Sequence, residues 1–272
     1  MSKNGLLEDG DCVAVQIGGM AIALRTENSD FRELLAARYT GFTQPGLQPS
    51  FQLTIDLLEP SDSSRAEEDV SVSRHGENWL IRRGDFHAQW NCATGHGWVL
   101  QSANPYAIDS VLRILHTLIL AKEGGFLVHA ASAVRDGRAF LFAGASGAGK
   151  TTISRLAPAD AKLLTDEISY VRRLEDHYYA FGTPFAGELA RVGENQSAPM
   201  AALFLLEKGS DNRIEEISKV AAVRMLLSNI LFFAEDQDLV AKVFRAACEF
   251  ADRVPIRRLI FVPDARVWEM IR

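Results

Sequence analysis

The sequence predicts an α/β protein with a β-rich amino-terminal lobe over residues 1–103 and an α/β lobe over 104–272. Three observations predict it. Residues 144–151 read Gly-Ala-Ser-Gly-Ala-Gly-Lys-Thr, a complete GxxxxGK[ST] pattern between the apolar run 139–143 and a helix-like segment, the context in which such a loop cradles phosphates. The first hundred residues break into short alternating runs separated by glycine turns. Behind them, apolar runs alternate with stretches of helical period.

Taken in order, strands are expected over 12–17 and 20–24, joined by the Gly18-Gly19 turn, and antiparallel pairing is expected through most of this lobe. A helix over 31–38, capped by Asn28, Ser29 or Asp30, precedes a strand near 51–57. Residues 60–69 are rich in serine and acids, lack periodicity and read as a mobile loop. Short runs at Val72, 79–81, 86–90 and 98–100 then make a β-meander. His75, His87 and His96 fall at its turns without a shared ligand spacing, so they read as solvated. Trp79, Trp90 and Trp98 read as sheet-core packing rather than ligand stacking.

In the second lobe, Ile108, Val111, Leu112, Leu115, Leu118 and Ile119 recur at helical spacing up to Gly124-Gly125; His116 on that helix reads as packed or partly exposed. Asp136-Gly137 is a two-residue hairpin turn between 127–134 and 139–143. If Arg135 faces Arg138, the register carries His129 to a place opposite Gly144, at the mouth of the loop. There a histidine contacts a phosphate or carboxylate, or is a strand-end residue satisfied by backbone. Pro158 keeps the helix after Lys150 short, and 161–165 reads as the next strand, neighbouring 139–143 and ending at Asp166-Glu167. This is similar to a Walker-B arrangement with a tighter spacing. Asp166 has two roles open to it, proton acceptor from a hydroxyl or orientation of Mg2+ through water, and a solvated acidic pair is the alternative to both. Two helices over 219–234 and 239–251 and a strand over 258–262 complete the reading.

Composition narrows the function classes. Hydrophobic residues are 47% and charged residues 24%, as in ordinary globular proteins, and the net charge of -6 with no Lys/Arg stripe argues against nucleic acid as a partner. The polar residues 1–5 lack the apolar core of a signal peptide and the most apolar helical stretches carry Arg113, His116 or Arg224, so a cytoplasmic protein that does not span a membrane is expected. Cys12, Cys92 and Cys248 lack the spacing of a zinc site or disulfide framework.

His129, the 144–151 loop, the Asp166-Glu167 pair and the later Gly182-Thr183-Pro184-Phe185-Ala186-Gly187-Glu188 together resemble the kinase domain of HPr kinase/phosphorylase. The runs 128–134 and 182–185 are similar to HPr-kinase-related proteins found beside peptide-modification genes, including serine kinases acting on lasso peptides. The resemblance covers about 104–272 and implies a P-loop core shared with ATP-dependent phosphoenolpyruvate carboxykinase. It implies ATP and Mg2+ as cofactors, with phosphates held by Gly144, Ala145, Ser146, Gly147, Ala148, Gly149, Lys150, Thr151 and Thr152. Thr151, Glu167 and Glu188 would serve the metal, Asp166 would be the acid/base, and Lys150 and His129 would act near the γ-phosphate. Arg191 would neutralise charge or lie on the surface.

The chain departs from the family in carrying Asp-Glu for the usual Asp-Asp and Thr151 for Ser, and in lacking the later glycine-rich signature. HPr and phosphorylase activity are therefore not implied. The expected function is phosphoryl transfer from ATP to a serine hydroxyl on a peptide or small protein. The alternatives are a nucleotide-binding regulator without transfer and a kinase acting on a small metabolite. A homo-oligomer is compatible with the sequence.

Overall fold

The computed structural model describes residues 12–44, 46–58, 69–185 and 193–272. The expected loop at 60–69 lies almost wholly outside them, as do residues 1–5. The protein is mixed α/β, with two sheets among the described residues. It divides into two compact units, Met1–Ile114 with Phe233–Asp236, and Leu115–Phe232 with Gln237–Arg272.

In the first unit, β1 (Cys12–Ile17) and β2 (Met20–Arg25) form a hairpin, and α1 (Ser29–Arg38) carries the chain over to β3 (Phe51–Leu57). Asn28 caps α1, its side-chain oxygen accepting from the Phe31 amide at 2.8 Å. The meander follows as β4 (Ser71–His75), β5 (Asn78–Arg83), β6 (Phe86–Asn91) and β7 (His96–Gln101). The seven strands lie in the order β1-β2-β3-β7-β6-β5-β4. The antiparallel expectation fails at two places: β3 pairs parallel with β2 on one side and with β7 on the other. Two strands joined by a helical crossover run the same way, and glycine turns do not reveal which strand the meander returns to. Trp79 and Trp90 are buried, whereas Trp98 is exposed because alternation turns Val99 inward. Its indole N–H donates to Asp56 at 2.6 Å.

The division between the units falls within α2 (Pro105–Glu123), which Gly124 ends in a left-handed conformation. On the first unit's stretch, the buried Asp109 accepts from Tyr39 at 2.7 Å and pairs with Arg38, so this buried carboxylate is both paired and hydrogen-bonded.

The second unit is built on β8 (Phe126–Arg135) and β9 (Arg138–Ala143), whose turn residues Asp136 and Gly137 both have positive φ, as the short hairpin demands. After α3 (Lys150–Arg155) come β10 (Lys162–Thr165), β11 (Ile168–Leu174), β12 (His177–Phe181), β13 (Ser197–Lys208), β14 (Arg213–Glu216) and α4 (Lys219–Leu227). Then follow β15 (Ile230–Leu231), α5 (Gln237–Arg253), β16 (Ile256–Phe261) and a 3-10 turn, Ala265–Met270. Alternation along three strands builds a core on each face. Leu141 and Ala143 of β9 join Val128, Ala130, Leu203 and Leu205 in a cluster with α4 and α5. Phe140 and Phe142 join Ala131, Ala133, Phe204, Ile153 of α3 and Trp268 on the other.

Two expectations are corrected here. Strands β9 and β10 are not neighbours: β8 lies between them, with Ser132 opposite Leu141 on one side and Thr165 on the other. The crossover through α3 steps over one strand, a choice that sequence spacing does not encode. The helix expected over 219–234 ends at Leu227, where Asn229 turns its side-chain amide onto the Met225 carbonyl at 2.8 Å. Ile230 and Leu231 then pair with Val128 and Leu127 of β8, so apolar residues that fit a helical period fill a sheet edge instead.

Candidate functional site

Strand β8 changes partners on both flanks at the same level. On one flank its pairing with β11 ends at His129 opposite Ile168, and its pairing with β10 begins at Ser132 opposite Thr165. The two residues joining β10 to β11 are Asp166 and Glu167, which therefore stand in the gap. On the other flank the pairing with β15 reaches Val128 and that with β9 begins at Ala130 opposite Ala143. His129 sits at that parting, its amide donating to the Asn229 carbonyl at 2.8 Å. The hairpin register is the one expected, and it brings His129 level with the start of the loop after β9. Ligands gather where strand neighbours change, because the ends of the diverging strands leave a crevice.

The loop between β9 and α3 is held by its own geometry. Gly147 and Gly149 have φ of 76° and 114°, conformations that residues with a Cβ rarely adopt. A Cβ on Gly149 would lie 2.6 Å from the Phe261 ring tip, so glycine is required there twice over. The Lys150 ammonium donates to the Gly144 carbonyl at 2.8 Å and to that of Ala145 at 3.3 Å. Behind α3, the Trp268 indole donates to the Ile153 carbonyl at 3.0 Å, and Arg135 donates to the carbonyls of Trp268 and Ile271 at 2.6 and 3.2 Å. The short helix is thus mounted on the 3-10 turn as well as on the sheet.

The carboxylate joint has its own clamp. Thr183, fully buried, donates its hydroxyl to the Ile168 carbonyl at 2.8 Å and its amide to that of Leu164 at 3.4 Å, gripping both strands on either side of Asp166-Glu167. The Glu167 amide donates to the Thr165 hydroxyl at 3.3 Å.

Loop, joint and β8 enclose a cleft of about 440 Å3. Of the residues singled out in the sequence, Ser146, Gly147, Gly149, Lys150, Thr151 and Thr152 line it from the loop side, and His129, Asp166 and Glu167 from β8 and the joint. Gly144, Ala145 and Ala148 are not in its lining; the first two act through the carbonyls that hold Lys150. Glu188 and Arg191 lie outside the described residues. Lys150 is 9% exposed and Asp166 7%, so opposite charges are largely withdrawn from water in one small volume.

Two lining residues were not found in the sequence, Arg155 at the end of α3 and Lys208 at the end of β13. Lys208 closes an apolar run, as Asp166 follows 161–165, but the parallel pairing of β13 with β9 that brings it to the cleft is seen only in the structure. Arg155 carried no signal beyond its place one turn after Lys150. Among the described lining residues they set, with Lys150, three cations against two carboxylates, an arrangement suited to a polyanion with a hydroxyl-bearing or metal-bound group on its acidic side.

Residues 104–272, well over half of the chain, match the family described as SynChlorMet cassette protein ScmC. No curated protein matches the sequence. Among solved structures, the Hpr(Ser) kinase/phosphatase from Coxiella burnetii is similar at 14% identity over 44% of this chain and 93% of that one. Its TM-score is 0.25, too low for the likeness to bear on fold or activity. No helix among the described residues is long and apolar enough to cross a membrane.

Proposed function

The chain belongs to the SynChlorMet cassette protein ScmC family, and we propose that it is an ATP- and Mg2+-dependent phosphotransferase acting on a serine hydroxyl of a peptide or small protein. The observation that supports this reading is the convergence of the glycine loop, Lys150 and the Asp166-Glu167 joint on one cleft. On this reading residues 144–151 are a phosphate-binding loop, and the second unit is a core of the HPr kinase/phosphoenolpyruvate carboxykinase type. The residues present fit a triphosphate: glycines at positive φ let backbone amides face an anion, and three cations line the same volume. The cytoplasm is the compartment this donor implies.

Each group then has a task. Lys150, Arg155 and Lys208 neutralise the phosphate chain, and the loop amides fix its position. Asp166 takes the proton of the acceptor hydroxyl as its oxygen bonds to the γ-phosphorus; the bond from that phosphorus to the bridging oxygen breaks, and ADP leaves with the electron pair. His129, at the parting of β8's partners, bears on the transferring group. Thr151 and Glu167 are the described residues suited to holding Mg2+, which would supply charge neutralisation at the phosphates. Catalysis rests on positioning and electrostatics, without a covalent enzyme intermediate.

Mg·ATP titrated into the wild-type protein and Lys150→Ala tests the donor half by calorimetry. The variant should bind about ten- to a hundredfold more weakly, the worth of a charged hydrogen-bonding group; equal binding would refute the loop assignment. γ-Labelled ATP supplied with serine-bearing peptides encoded in the same cassette tests the acceptor half. Tight nucleotide binding with no label transferred to any of them would point to a regulator instead.

A further inference from the structure

A second hollow, of about 700 Å3, lies wholly within the first unit. Its floor is made by small side chains. The β1–β2 register sets Cys12 opposite Arg25 and Ala14 opposite Ala23, so Cys12, Ala14, Ala23 and Arg25 share one face of the sheet. Where three of those four residues are small, the face leaves space that Ala36 of α1, residues 43–44 and residues 46–49 line without filling.

Arg25 stands at the end of this floor as the single charged residue among the described lining residues. Among the described residues Arg25 is in no ion pair, so no carboxylate of theirs neutralises the guanidinium where it borders the hollow. Around it Thr43, Gln44 and Gln48 have no side-chain hydrogen bonds to other described residues. One guanidinium with neutral amides and a hydroxyl, beside an apolar floor, selects a monoanion that carries an apolar body. Guanidinium geometry matches a carboxylate in two parallel hydrogen bonds, and a phosphate dianion would call for a second cation. The volume falls within the roughly 300–1,000 Å3 of small-ligand pockets.

We infer that this hollow is a recognition pocket for a carboxylate-bearing peptide segment, with Arg25 holding the carboxylate and the Cys12-Ala14-Ala23 floor receiving the adjoining side chain. That the peptide is the phosphoryl acceptor rests on the function proposed above; the pocket does not. The probe is acetyl-Ala-Leu-Ser with a free carboxylate, titrated into the full chain by isothermal calorimetry. Saturable binding is expected, with the carboxyl-terminal amide of the same peptide binding at least tenfold more weakly. Arg25→Gln and Ala14→Leu, the second filling the floor while keeping the charge, should each weaken binding at least tenfold, with melting temperatures confirming that they fold. Lys150→Ala should bind the probe as the wild type does, so failure of nucleotide binding and failure of the pocket are read separately. Equal binding of acid and amide, or undiminished binding by both folded pocket variants, overturns the inference. If peptide phosphorylation is observed, a KM for the free-acid peptide unmoved by Arg25→Gln overturns the acceptor assignment.

Discussion

The two sheets differ in how their central strands are used. In the first unit β3 lies between β2 and β7 with one partner on each side. In the second, β8 has two partners on each side and both flanks change hands between Val128 and Ser132. The interruption leaves backbone and side chains at one level without a continuous neighbour, and His129, the glycine loop and the acidic joint occupy that level. An unbroken ladder supports shape, whereas a strand shared among four partners opens a place where charge can be gathered.

This contrast assigns unequal costs to substitutions. The largest effect is expected for Asp166→Asn, which keeps the joint's shape and removes its base: the transfer rate should fall by about 10²–10⁴ while ATP affinity holds. A transfer rate equal to wild type would exclude Asp166 from proton transfer. Gly149→Ala should come next, losing about 3 kcal/mol of stability from left-handed strain plus collision with Phe261, measured by denaturant unfolding with loss of nucleotide binding.

A smaller effect concerns acid. Burial, and then Arg172, lowers the His116 pKa from 6.5 to about 3. Its ring nitrogen lies 3.2 Å from the Tyr170 hydroxyl in the second unit. Between those values the unfolded chain binds a proton that the folded protein does not. The stability His116 permits is whole above about pH 6.5 and falls as pH drops, by about 1.4 kcal/mol per pH unit. His116→Gln should flatten that slope in urea unfolding followed from pH 7 to 5. The smallest effect belongs to the first sheet: Gly76→Ala, at φ 62° with open space around it, should cost only about 1 kcal/mol and leave nucleotide binding unchanged.

Much of this was legible in the sequence wherever the signal was local. The Asp136-Gly137 turn set the β8–β9 register, the cap of α1 fell to Asn28 among the three candidates Asn28, Ser29 and Asp30, and Pro158 lay beyond a helix that stops at Arg155. What could not be read depends on choices made across the sheet. Nothing near 51–57 announces that β3 runs parallel to both neighbours, and nothing near 161–165 announces that β8 intervenes. Ile230 and Leu231 satisfy a helical period equally well, and the edge of β8 decides their fate. In the cleft, the loop motif and acidic strand end stood out because their residue types are unusual in those places. Arg155 and Lys208 are ordinary surface types whose convergence appears only in three dimensions.

The bond from Trp268 to the Ile153 carbonyl spans 115 positions of chain. A six-residue helix has little stability alone, since nucleation outweighs the few hydrogen bonds it gains. Until residues 256–271 have docked, α3 lacks this brace and Gly149 has no Phe261 ring beneath it. Closing so long a loop is slow and comes late in folding. Nucleotide affinity should therefore appear in a refolding experiment only with the last phase of the second unit, after the β8–β9 hairpin has formed, so that binding competence reports completion of the fold.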